Sequence, residues 1–121
     1  MTTYTITVPK IGRYMNANDR PHFRDRAKQT KLWREAGRIA TLAAKVPALT
    51  PPVHITATVH IADHLRREVS NLAPTMKAAI DGMVDAGILA DDSDAHVIGP
   101  DPRRAYDGPP RITFTLEEVA S

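Results

Sequence analysis

Apolar and polar positions alternate along three stretches of this chain and recur at helical spacing along two others, so a strand-and-helix order can be written before any composition is considered. Residues 3–8, TYTITV, alternate threonine with aromatic or β-branched residues, which predicts a strand with one buried face ending at Pro9. From Arg26 to Lys45, Leu32, Trp33, Ala36, Ile39, Ala40, Leu42 and Ala43 recur at helical spacing, which predicts an amphipathic helix with a basic outer face. VPALTPP stops it, because Pro47, Pro51 and Pro52 cannot continue a hydrogen-bonded ladder.

VHITATVHIA (53–62) alternates again: Val53, Ile55, Ala57, Val59 and Ile61 point one way, and His54, Thr56, Thr58 and His60 the other, toward solvent or a partner. DHLRREVS (63–70) is a charged connector. A second helix is predicted over 71–86, with Leu72, Met76, Ala79, Ile80, Met83 and Val84 as its apolar stripe. Asn71 is placed to cap its start, Pro74 falls in its first turn, and Gly87 is placed to end it in the left-handed conformation. HVIG is a short strand or turn, DPRRAYDGPP a Pro/Gly-rich loop, and RITFTL (111–116) a last strand.

The order β, α, β, α, short β, β predicts an α+β domain over 1–121: a small mixed sheet of about four strands with two main helices packed on it. The chain's 121 residues suffice for one core, and its 42% apolar and 25% charged residues are those of an ordinary globular protein. The absence of cysteine excludes disulfides and thiolate metal sites and fits a reducing interior. No apolar run approaches a membrane span and MTTYTITVPK lacks a signal pattern, so the expectation is a soluble, cytoplasmic protein without a membrane partner.

Charge changes the picture. Residues 1–50 carry ten Lys and Arg against three acids, giving +7; residues 51–121 carry six against eleven, giving −5. A basic half suits a polyanion such as nucleic acid, and an acidic half suits a cation. The basic half includes KIGRYMNANDRPHFRDR (10–26), a loop in which Tyr14, His22 and Phe23 interleave the cations.

The acidic half concentrates in GILADDSDAH (87–96). Carboxylates this close repel one another, so they need solvent or a cation, and Mg²⁺ and Mn²⁺ prefer such oxygen ligands. Glu68, Asp91 and Asp92 would suffice for one ion, but Glu68 and the aspartates flank opposite ends of the second helix. They meet only if the loops fold back or the helix starts late. His96 follows the aspartates closely enough to join them. An EF-hand loop is excluded, since no glycine stands sixth from Asp91 or Asp92. Lys77 and Asp81, four apart on the polar face, form an ordinary helix pair unless Lys77 serves a phosphate. His54 and His60 lie about 20 Å apart on one strand and cannot share a metal.

The run RREVSNLAPTMKAAIDGMVDAGILADDSDAHVIGPD, with TYTITVP and the basic loop before it, resembles the RusA family of Holliday junction resolvases, in particular its actinobacteriophage-type members. The shared features are an Arg-acid-x-x-Asn-Leu segment, a Lys-Ala-x-x-Asp-Gly segment and an Ala-Gly-x-x-x-Asp-Asp segment, in that order. The resemblance implies a homodimeric, Mg²⁺-dependent (or Mn²⁺-dependent) endonuclease that binds four-way DNA and nicks two opposed strands in the host cytoplasm. It implies that Glu68, Asp91 and Asp92 hold the metal and that Lys77 acts with them. Asn71 and Asp81 support the site from behind, and Lys10, Arg13, Arg20, Arg24, Arg66 and Arg67 contact DNA. Tyr14 or Phe23 is placed to wedge into a junction or simply to pack.

Two residues depart from the family pattern. Glu68 replaces the usual aspartate with a carboxylate one methylene longer, and Ser70 stands where many members carry a second aspartate. Asp94 or His96 could compensate as ligands, with Ser70 a weak one. The departures also motivate two alternatives: a junction-binding protein with weakened or absent catalysis, and a flap or fork endonuclease of the same fold.

Overall fold

The computed structural model describes residues 2–18, 23–61 and 69–119. Its elements run β1 (Thr3–Pro9), α1 (Phe23–Ala44), β2 (Val53–His60), a 3-10 turn (Val69–Leu72), α2 (Ala73–Asp85), β3 (Val97–Ala105) and β4 (Arg111–Glu118). The fold is α+β, with one four-stranded mixed sheet in the order β1-β4-β2-β3 and two helices on it. β4 is antiparallel to both neighbours, and β3 runs parallel to β2. β1 and β2 therefore also run the same way, and each parallel step is crossed by a helix, as parallel strands require.

Strand alternation sorts the side chains. Ile6, Val8, Val53, Ile55, Ala57, Val59, Ile112, Phe114 and Leu116 are buried on the helix-covered face, against Trp33 from α1 and Leu72, Met76, Ala79, Ile80 and Met83 from α2. The other face is rich in threonine: Thr5 and Thr56 both pair with Thr115, and Thr7 and Thr58 both pair with Thr113.

The two helices approach to backbone contact. A Cβ on Gly37 of α1 would lie 2.2 Å from the Ala79 carbonyl oxygen, and one on Gly82 of α2 would lie 2.1 Å from that of Arg34. Only hydrogen at both positions permits this spacing. Arg34 then spans the seam to Asp85 with two hydrogen bonds of 2.6 and 2.8 Å.

Several sequence expectations need correction. DPRRAYDGPP is not simply a loop: its first five residues extend the expected short HVIG strand into the nine-residue β3. Pro100 and Pro102 are tolerated because β3 is an edge strand, and the ladder shifts register between His54 and Thr56 opposite Gly99, whose φ is +101°. α1 begins at Phe23, three residues earlier than expected, and only part of its stripe is covered: Trp33 is fully buried, whereas Leu32, Ile39 and Leu42 are exposed. Asn71 does not cap α2, because the preceding 3-10 turn runs straight into the helix and puts Leu72 at the cap position without a side-chain bond. Pro74 does fall in the first turn, and Gly87 takes φ +90° at the end. His60 is buried rather than solvent-facing, its two ring nitrogens each 2.9 Å from Asp107 and Thr113. His54 is half-buried and pairs with Asp101.

Candidate functional site

Lys77 lies in the second turn of α2, where its side chain reaches over the polar face. After Gly87 turns the chain, Ile88 and Leu89 bury themselves in the core, and Leu49 N–H donates to the Ile88 carbonyl at 2.8 Å. These anchors fix the return path. It carries Asp92 back along the helix to Lys77, 2.8 Å from Nζ, while Asp81 lies 3.4 Å from the same nitrogen.

Late helix onset and a folded-back loop thus operate together. α2 starts at Ala73, and the loop returns Asp92 close to that end of the helix. Glu68 lies outside the described residues, as do Arg20, Arg66 and Arg67. Val69–Leu72 leads into the end of α2 where Asp92 arrives.

The two carboxylates differ electrostatically. The Lys77 ammonium, by hydrogen bond, holds Asp92 below the usual carboxylate range, and Asp92 in turn raises Lys77. Asp81 is pushed up, first by burial and then by its hydrogen bond with Asp92, with Lys77 pulling the other way. Near neutrality the cluster holds an ammonium, an ionised Asp92 and the more proton-retentive Asp81.

The other expected ligands do not join Lys77, Asp81 and Asp92 in a metal-binding group among the described residues. Asp91 is exposed, and its Oδ1 accepts from the Asp92 N–H at 2.8 Å. Asp94 and Ser70 are exposed. The His96 ring is half-buried with Nδ1 2.9 Å from the Ser93 hydroxyl. Among the described residues, no three His, Cys, Asp or Glu side chains come together as a metal cage.

A cavity of about 550 Å³ opens beside the cluster, with Lys77, Asp92 and Arg26 as its charged residues and Ala73, Pro74, Ile80, Val97 and Pro100 among its apolar ones. The basic loop is pinned to this end of α2. The buried Thr75 hydroxyl accepts from the Met15 N–H at 2.6 Å and donates to the Met15 carbonyl at 3.0 Å, and the Ala17 N–H donates to the Asn71 carbonyl at 2.7 Å. Asn71 therefore contributes through its backbone.

Of the expected DNA contacts, Arg24 is exposed, Arg13 is paired with Asp25, and Lys10 stands over the Tyr14 ring. Tyr14 packs, stacked on Trp33 with centroids 5.5 Å apart. Sequence reasoning missed Thr75 as the clamp and Arg26 as a cavity residue. Neither has a local signal, because both act through partners far along the chain.

Fold and site together define a small α+β domain with a lysine–carboxylate cluster at the edge of a partly basic cleft. No protein-family model matches the chain, and no curated protein matches it. No helix among the described residues is long and apolar enough to cross a membrane.

Proposed function

We propose that this chain is a metal-dependent DNA endonuclease that resolves four-way junctions by paired nicks, as its resemblance to the RusA family implies. The observation that carries this reading is the convergence of Lys77, Asp81 and Asp92, residues of two separate motifs, beside a cleft that also holds Arg26.

The donor set fits a hard divalent cation. It offers carboxylate oxygens without sulfur, and Asp92 is kept ionised. Asp92, with Asp91 and Glu68 from the adjoining chain, would hold Mg²⁺ or Mn²⁺. When bound, such an ion supplies charge for the phosphodiester and lowers the pKa of an attacking water. Lys77 offsets charge on the non-bridging phosphate oxygens, and its ammonium, 3.4 Å from Asp81 and 2.8 Å from Asp92, lessens the repulsion between the two carboxylates. Arg26, Lys10 and Arg24 hold the sugar–phosphate backbone, contacts that position DNA without reading its sequence. Two symmetric nicks call for two copies of the site related by a two-fold axis.

One observation favours a second reading. Lys77 already neutralises Asp92, and Ser70 offers no second charge, an arrangement suited to a domain that binds junctions without cutting them.

Cleavage of a labelled four-way junction, beside a linear duplex, a flap and a fork, with Mg²⁺, Mn²⁺ or EDTA, separates these readings. Paired metal-dependent nicks in the junction, lost in Asp92→Asn, support the resolvase. Preference for the flap or fork moves the substrate, and tight junction binding without nicks under either metal sinks the nuclease.

A further inference from the structure

The cleft beside Lys77 and Asp92 is not lined as a track for phosphates alone would be. Apart from Lys77, Asp92 and Arg26, every described residue around it is apolar or glycine. Ile80 and Val97 are buried at its base, and Pro74 of α2 and Pro100 of β3 stand half-buried along it. An apolar recess of this kind marks a binding groove for a ligand with apolar faces.

Small residues keep the recess open. Ala17 and Ala73 are both exposed. Gly99 takes φ +101°, and a Cβ there would lie 2.6 Å from the Ile55 carbonyl oxygen, so no side chain can project from that point. The volume, about 550 Å³, lies within the ~300–1,000 Å³ of pockets that enclose an organic ring system rather than an ion.

Charge and apolar surface are joined along one helix. Ala73, Lys77 and Ile80 stand at i, i+4 and i+7 of α2, on one face. A cation set between two apolar contacts matches a nucleotide, in which a single sugar joins an anionic phosphate to a flat base. A phosphate held at Lys77 therefore leaves its base within reach of Ile80. A base inside a duplex offers only its edges, so it must leave the stack to enter.

We infer that this recess receives one unstacked nucleobase, next to the phosphate that Lys77 contacts. The inference rests on the nuclease reading for its choice of polymer, and adds the feature of DNA that the cleft selects: a base free to leave the duplex. Unpaired and mismatched bases cost least to extrude. Among the described residues, no hydroxyl, amide or aromatic side chain lines the recess, so it holds the face of a base by apolar contact and does not read the edge through side chains. Freedom to unstack then matters more than the identity of the base.

2-Aminopurine, whose fluorescence rises when it leaves a base stack, tests this directly. It is placed singly at each nucleotide around the exchange point of a synthetic four-way junction, and the protein is added in EDTA so that nothing is cut. The expected result is a several-fold rise at one position of a strand and little change at the others. Ala73→Leu narrows the recess from an exposed helix position; it should lose that rise while binding the junction within about threefold of wild type, because phosphate contacts carry most of the affinity. Ala17→Leu narrows it from the loop, and serves if Ala73→Leu does not fold. In Mg²⁺, an abasic analogue at the responding position should slow nicking of the adjacent phosphate about tenfold, and a mismatch there should quicken it. No rise at any position of a bound junction, or a rise that both leucine variants retain, overturns the recess as a base site even if the junction is nicked. A rise on a junction that is bound but never nicked supports the base site and sinks the nuclease, and a chain that binds no DNA overturns both.

Discussion

Lys77 and Asp92 stand fifteen positions apart in sequence and 2.8 Å apart in space, joined by a loop that reverses at Gly87 and is pinned by Ile88 and Leu89. The pair is exposed, with the Lys77 side chain 65% accessible, so it contributes little to folding. Lys77→Met should therefore leave stability within about 1 kcal/mol of wild type. If the cation serves phosphate chemistry, junction nicking should fall by about 10² or more. Thermal melts and single-turnover cleavage on the same preparation check both. A large loss of stability would make Lys77 structural instead.

Asp81 and Asp92 should respond oppositely to pH. The depressed carboxylate of Asp92 contributes stability above its ordinary value of 3.8, lost as pH falls through its lower folded value. Asp81 is raised, so its folded form binds more protons than the unfolded chain, and stability declines as pH rises from 3.8 through the folded value. Asp81→Asn removes that decline. It should melt higher than wild type at pH 7, by roughly 2 °C, with the difference vanishing below pH 3.8. Melting curves across pH 3–8 measure it, and a variant that melts lower at pH 7 contradicts the burial argument.

Much of this architecture was legible in the chain. The alternation in TYTITV, VHITATVH and RITFTL places the strands and their buried faces, and Gly87 marks the helix end, because these signals are local. β3 was obscured because proline and glycine read as loop unless the strand is known to lie at an edge, which topology alone decides. The convergence of Lys77 and Asp92 was open for a related reason: helix length separates the motifs, and only the burial of Ile88 and Leu89 directs the loop back. Thr75 was invisible, since a buried hydroxyl clamp looks like any threonine in a helix, and Arg26 was legible only as one cation among those of the basic loop and first helix, not as a residue of the cleft.

The seam between the helices predicts a sharp intolerance. Gly37→Ala and Gly82→Ala each add one methyl where the facing backbone oxygen is 2.2 or 2.1 Å away, and backbone cannot move aside as a side chain can. Each should destabilise by about 2 kcal/mol or more, despite alanine's better helix propensity. Chemical denaturation gives the value. Neutral or stabilising effects at both positions would mean that the helices can separate freely.

Binding to DNA should be strongly salt-dependent if the cleft holds phosphate. Arg26→Ala should weaken binding to all DNA forms alike and reduce the slope of log K against log salt by about one, while leaving any sequence preference at the nick unchanged. Fluorescence anisotropy with a labelled junction at several salt concentrations measures the slope. An unaltered slope removes Arg26 from the DNA path.

Ser70 offers the sharpest test of where the metal sits. It lies exposed on the 3-10 turn that leads into α2, at the position where many members of the resembled family carry a second aspartate. A hydroxyl is neutral and a carboxylate is charged, so Ser70→Asp adds the type of ligand that Mg²⁺ prefers without enlarging a buried side chain. If the ion is held between the chain entering α2 and Asp92, the substitution should lower the Mg²⁺ concentration for half-maximal nicking several-fold. It should leave the metal-free melting temperature nearly unchanged, because the added charge is solvated. Titration of nicking and of melting temperature with Mg²⁺ reads both effects. If neither midpoint moves, residue 70 stands outside the coordination sphere, and the ion is held from the Asp92 side alone.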